Sequence, residues 1–166
     1  MSSNFKASQS ITGDVDGTGM RIAVVCGRFN DLITNRMLEG TLGGLGVHGV
    51  KEDDVTVAWV PGAFEIPVAA KQCASSGAFD AVICLGAVIR GDTAHFEYVA
   101  GPCAEGIQLA ALETGVPIVF GVLTTENLDQ ALQRSDLDGD NKGEEAARTA
   151  LEMVDLLRRL PPPATG

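Results

Sequence analysis

Arg90, Thr93 and His95 lie close together in the run Val88-Ile89-Arg90-Gly91-Asp92-Thr93-Ala94-His95-Phe96. A guanidinium, a hydroxyl, backbone amides beside a glycine and an imidazole in one turn suit an anionic substrate that needs a proton moved. Imidazole is the side chain that exchanges protons near neutral pH, and a positioned acid or base contributes typically about 10²–10⁴ in rate. His95 is one of only two histidines in the chain; taken alone it could equally be a capping or surface histidine. His48, beside glycines just past a helix end, reads as a partner for the C-terminal helix dipole. Phe29 stands between a glycine-arginine pair and Asn30. It is either a platform for a flat heterocycle or a side chain folded back onto the core. Arg134 and Lys142 flank an acidic loop, Ser135 to Asn141. They are either a solvated surface pair or a phosphate clamp.

The elements that must carry these residues follow from apolar patterning. Asp80 to Ile89 is too continuously apolar to be half-exposed and fits a strand buried on both faces of a parallel sheet. Arg21–Cys26, Val55–Val60 and Pro117–Leu123 are the other strands. Helices are expected over Asp31–Leu45, Phe64–Ser75, Thr93–Glu113, a short Glu126–Arg134 and Glu144–Leu160. Asp92 and Thr93 offer caps for the third helix. In the last, Ala147, Ala150, Leu151, Val154 and Leu157 make an apolar stripe, with Glu144 and Glu145 at one end and Arg158 and Arg159 at the other, matching the dipole. Strict alternation implies right-handed crossovers and a three-layer α/β/α sandwich. All strand exits then share one edge, where open α/β sheets bind ligands: Gly27 to Asn30, Pro61 to Glu65, Arg90 to His95, and Thr124 to Asn127. Four strands make a narrow sheet, so its edge is expected to be completed by the N-terminal segment of a neighbouring subunit. Gly40, Gly43 and Gly44 weaken the first helix by about 1 kcal/mol each relative to alanine, and Pro102 should break the third or open a second segment.

Composition narrows the function. The chain has 166 residues, suited to one domain over 19–160 between a tail at 1–18 and another at 161–166. At 45% hydrophobic and 20% charged it is an ordinary globular composition. Twelve basic against 22 acidic residues give a net charge of −10, which argues against general binding to nucleic acid or anionic membranes but not against a single phosphate. Cys26, Cys73, Cys84 and Cys103 lack metal or redox spacing, and no apolar segment suits a signal peptide or membrane span, so a cytoplasmic setting is the default. Two tempting motifs fail. Gly44-Leu45-Gly46-Val47-His48-Gly49 ends a helix instead of joining strand to helix, so it is no dinucleotide fingerprint. Asp136, Asp138 and Asp140 lack the glycine and the bidentate glutamate of a calcium loop, with Asn141 and Ala147 at those positions.

Taken together, Arg28-Phe29-Asn30, Trp59 to Pro67, Val88-Ile89-Arg90-Gly91 with Thr93 and His95-Phe96, Gly121 to Asn127 and Asn141-Lys142-Gly143 resemble the 6,7-dimethyl-8-ribityllumazine synthase family from about Gly19 to Leu160. The resemblance implies a flavodoxin-like fold and a transferase of riboflavin biosynthesis using no metal and no organic cofactor. It would condense 5-amino-6-(D-ribitylamino)uracil with 3,4-dihydroxy-2-butanone 4-phosphate. It implies His95 as proton shuttle. Phe29 would stack on the pyrimidine, with Asn30, Ala63, Phe64, Glu65, Ala87, Val88 and Ile89 around the ring and ribityl chain. Gly91, Asp92, Thr93 and Arg134 would take the phosphate, with Phe120, Arg134 and Lys142 supplied by an adjacent subunit. Family members are pentamers, some assembling into a sixty-subunit icosahedral shell that can associate with riboflavin synthase. The short loop Ser135 to Asn141 resembles that of shell-forming members. This chain departs from the family pattern at Ala87, where threonine is common, at Asp92 beside the phosphate, at Ser135-Asp136-Leu137, at Pro102 and at Gly43-Gly44. The alternatives are a silent flavin- or lumazine-binding paralogue of the same fold, and an unrelated flavodoxin-like nucleotide module.

Overall fold

The computed structural model describes residues 6–164; the outer ends of the two expected tails, residues 1–5 and 165–166, lie outside the described residues. The chain forms strands β1 (Ile22–Gly27), β2 (Val55–Val60), β3 (Ala81–Ile89) and β4 (Ile118–Thr125) and helices α1 (Asp31–Val47), α2 (Ile66–Ser75), α3 (His95–Thr114), α4 (Leu128–Arg134) and α5 (Lys142–Arg159). The four strands pair in parallel, in the order β2-β1-β3-β4. This is the doubly wound, flavodoxin-like order.

The central strands are buried on both faces, as their unbroken apolar runs require. Ile22, Val24 and Cys26 face one layer with Ile33 and Met37 of α1 and Ala147, Ala150 and Leu151 of α5. Ala23, Val25, Val82 and Cys84 face the other with Ile66 and Ala70 of α2 and Cys103 and Ile107 of α3. Met37 and Leu151 are fully buried, and truncating either to alanine costs about 2–5 kcal/mol.

Several boundaries and packing details differ from the sequence expectation. β4 runs on to Thr125 instead of ending at Leu123, because Thr124 and Thr125 stay in register with Val88 and Ile89 of β3; a two-residue polar ending does not stop a strand whose partner continues. α5 starts at Lys142 because the Asn141 side chain accepts the backbone amides of Gly143 and Glu144. Asp92 and Thr93 do not cap α3 in the expected way. The N-cap is Ala94, and Thr93 Oγ1 only accepts the His95 amide at 3.4 Å. Pro102 lies inside an unbroken α3. It sits on the exposed side, where water can satisfy the Tyr98 carbonyl that loses its donor. Gly40 and Gly44 have packing reasons: an added Cβ would strike the Asn141 side chain at Gly40 and lie 3.1 Å from Ala147 Cβ at Gly44. Gly43 faces open space.

Residues 13–18 run along α5 and α1. The Asp14 amide donates to Asp155 (2.7 Å), Arg159 pairs with Asp14, and the Gly17 amide donates to the His48 carbonyl (2.7 Å). No helix among the described residues is long and apolar enough to cross a membrane.

Candidate active site

The exits of β1, β2 and β3 converge because the backbone ties them together. The Arg28 and Phe29 amides donate to the carbonyls of Val60 and Pro61 (2.9 and 3.0 Å). Asn30 takes a left-handed conformation (φ 63°), the only non-glycine residue with positive φ among those described, and its Nδ2 donates to the Ala87 carbonyl at 2.8 Å. Asparagine tolerates this conformation better than most residues. The turn it makes holds Phe29 at 72% exposure, so its ring is not folded back onto the core.

A depression of about 540 Å³ is lined by Phe29, Pro61, Gly62, Ala63, Phe64, Glu65, His95, Tyr98 and Val99. A smaller one of about 180 Å³ shares Phe29, Ala63, His95 and Val99 and adds Asn30, Ala87, Val88, Ile89, Gly91, Thr93 and Phe96. These read as two lobes of one site that meet at Phe29, Ala63, His95 and Val99. Phe64 is exposed on the rim, while Ala63, Ala87 and Val88 are buried in the floor. Asp92 belongs to the turn without lining either lobe. Pro61 and Gly62, in an exit turn expected at this edge, also line the site, as do three residues given no role from the sequence, Phe96, Tyr98 and Val99. The last two were findable, since they fall three and four residues after His95 and share its helix face.

Arg90 is not available as a lone cation. Its Nε donates to Glu126 at 2.8 Å, its Nη1 pairs with Glu97, and its guanidinium stacks 4.3 Å from the Phe96 ring centre. Hydrogen bonds first to Glu97 and then to Glu126 hold the Arg90 pKa above its ordinary value, and the Arg90 hydrogen bond holds Glu97 below its own.

Phe120, Arg134 and Lys142 line a different groove, about 570 Å³, along β4 and α5 with Gly121, Glu145, Thr149 and Met153. Lys142 is engaged by Glu145 (2.7 Å) and Asp140 (3.3 Å), which raise its pKa, Glu145 most. Arg134 makes no ion pair among the described residues; its Nη1 donates only to the Gln130 carbonyl at 3.3 Å. Within one chain these residues do not meet His95. Phe120 pairs with Cys84 in mid-strand, five residues short of the end of β4 at Thr125, so it lies about 16 Å below the sheet edge at about 3.3 Å per residue. Among the described residues no three His, Cys, Asp or Glu side chains come together as metal ligands would.

Residues 19–158 match the model of one protein family, 6,7-dimethyl-8-ribityllumazine synthase.

Proposed function

The chain belongs to the 6,7-dimethyl-8-ribityllumazine synthase family, and we propose that it catalyses the family's condensation in full. That membership carries a transferase-type activity on small-molecule substrates. In our reading 5-amino-6-(D-ribitylamino)uracil lies on Phe29, its ring edge against the backbone of Ala87, Val88 and Ile89 and its ribityl chain towards Asn30, Ala63, Phe64 and Glu65. The phosphate of 3,4-dihydroxy-2-butanone 4-phosphate sits at Gly91, Asp92 and Thr93. The amine attacks the ketone and water leaves; phosphate is then eliminated and the second nitrogen closes the ring with loss of water. Each step moves a proton between nitrogen, carbon and oxygen, which is work for His95. Holding both substrates together supplies much of the remaining acceleration.

The observation that carries this reading is the division of the family's residues between two places on one chain. Phe29, Ala63, Glu65, Thr93 and His95 surround one site, whereas Phe120, Arg134 and Lys142 line a groove elsewhere. A site with its proton shuttle but without its unpaired arginine is half a site. A head-to-tail ring of copies completes it, each chain lending Arg134, Lys142 and Phe120 to the next. Exposed Tyr98, Leu109 and Leu112 on α3 also favour association. We extend the reading to a pentamer, its sheet edge completed by the neighbour's N-terminal segment, and to a sixty-subunit shell permitted by the short Ser135–Asn141 loop.

The test is turnover. Purified protein with both substrates should form the lumazine faster than the uncatalysed mixture, and His95→Ala should remove most of that acceleration while leaving the assembly intact. A protein that binds the product tightly without accelerating its formation would instead be a silent binding paralogue.

A further inference from the structure

The turn that follows β3 has little of its own to hold it. Asp92, Thr93, Ala94 and His95 are exposed, an added side chain at Gly91 would meet open space, and the one side-chain bond inside the turn is the 3.4 Å contact from the His95 amide to Thr93. Yet this turn presents the amides and hydroxyl of the phosphate subsite and starts the helix that carries His95. What crosses its base is Arg90. Its amide closes the last rung to the Thr125 carbonyl (2.9 Å). Its side chain reaches Glu126 beyond the end of β4 and Glu97 in the first turn of α3, and lies over Phe96. The Glu126 amide is itself fixed by Gln130 Oε1 at 2.8 Å.

We propose that Arg90 is a positioning residue of the condensation, bracing the exits of β3 and β4 and the start of α3 so that Gly91–Thr93 and His95 keep the geometry that receives the phosphate-bearing substrate. The inference rests on the reaction assigned above. The guanidinium is suited to the role because it is planar, permanently charged and can hold two carboxylates while stacking on a ring. A second consequence is electrostatic: its single positive charge offsets half of the combined charge of Glu97 and Glu126, two carboxylates that would otherwise repel an incoming phosphate more strongly in an acidic chain.

The assay is steady-state kinetics with each substrate varied in turn, titration with inorganic phosphate, and hydrogen–deuterium exchange of the assembled enzyme. Arg90→Gln should raise KM for the phosphate-bearing substrate and weaken inorganic phosphate by roughly tenfold or more, with a matching fall in kcat, since small displacements of reacting groups are costly. KM for the pyrimidine should stay within about twofold, because its contacts do not run through the brace. Exchange should rise over residues 91–97 and at the β4 exit around 125–127, and not elsewhere. Arg90→Lys should recover part of the loss, its ammonium holding one carboxylate but not both. Glu126→Gln separates bracing from direct contact. If Arg90 braces, losing Glu126 weakens phosphate; if Arg90 is itself a phosphate ligand, releasing it tightens phosphate and the proposal falls. Unchanged exchange and unchanged KM in Arg90→Gln would overturn it as well, as would equal losses for both substrates with dispersed subunits. A wild-type protein without turnover would sink the reaction assignment alone, since phosphate titration and exchange would still decide what Arg90 does.

Discussion

Two variants that are each crippled should restore one another if the working site is shared between neighbouring chains. In the proposed reaction His95→Ala removes the proton shuttle, worth about 10²–10⁴ in rate. On the same proposal Arg134→Ala removes a charge-assisted contact to phosphate worth about 1.5–3 kcal/mol, or about 10- to 150-fold. On one chain the two residues line separate pockets, and Phe120, which lines the same groove as Arg134, sits about 16 Å down its strand from the sheet edge at the rise of a β-strand. In a head-to-tail ring assembled at random from equal amounts of both variants, a complete site needs an intact His95 followed by an intact Arg134. Half of the chains satisfy each condition, so roughly a quarter of the sites are whole. Co-expression with two tags and tandem purification yields the mixed assembly, and initial rates with the phosphate-bearing substrate well below its KM, where binding and turnover losses both show, give the measurement. Recovery to about a quarter of the wild-type rate is expected. Activity no higher than the mean of the two parent variants would refute the shared site and require His95 and Arg134 to serve within one chain.

Further outcomes follow from packing and burial. Gly143→Ala would push a methyl group into the Met37 carbonyl and to 2.8 Å from Thr41 Oγ1 at the α1–α5 contact, costing about 1–3 kcal/mol and lowering the melting temperature by roughly 3–10 °C; Gly43→Ala, facing open space, should instead stabilise by about 0.5–1 kcal/mol. Asn30→Gly should melt above Asn30→Ala, the difference being about 1 kcal/mol, since both lose the bond to the Ala87 carbonyl but only glycine accepts a φ of 63° without strain. Burial pushes the thiol of Cys26 up to about 12 and that of Cys103 up to about 11, and raises those of Cys84 and Cys73 above the ordinary thiol value as well. A thiol reagent at neutral pH should therefore reach at most the half-buried Cys73 until denaturant is added. Because the folded state holds these protons more tightly than the unfolded one, their contribution to stability is complete below about 9 and is lost as pH rises towards 11–12. Chemical denaturation at pH 8 and pH 10.5 should show the fall.

Much of the architecture was legible along the chain, because its information is local. Unbroken apolar runs mark β1 and β3 as central strands, and the spacing of Ala147, Ala150, Leu151 and Val154 marks the face of α5 that the core receives. The turns that carry Phe29, Glu65, Thr93 and His95 could be placed at one edge because parallel alternation leaves no other arrangement. Other features depend on residues distant in sequence. That Arg90 is held by Glu97 and Glu126 depends on β4 pairing beside β3 and outlasting the expected end at Leu123. That Phe29 stands open depends on Asn30 reaching across to the Ala87 carbonyl. That Pro102 is accommodated in α3 depends on which side of that helix meets solvent. The separation of Phe120, Arg134 and Lys142 from His95 is likewise a matter of register, set by the pairing of Phe120 with Cys84 in mid-strand. Patterning specifies which face of an element is buried and where its ends fall, since those follow from the residues within it. Which charges meet, and which are left without a partner, is decided only when strands far apart in sequence are laid side by side, because ion pairs and stacking act over a few ångströms and only the assembled sheet sets those distances.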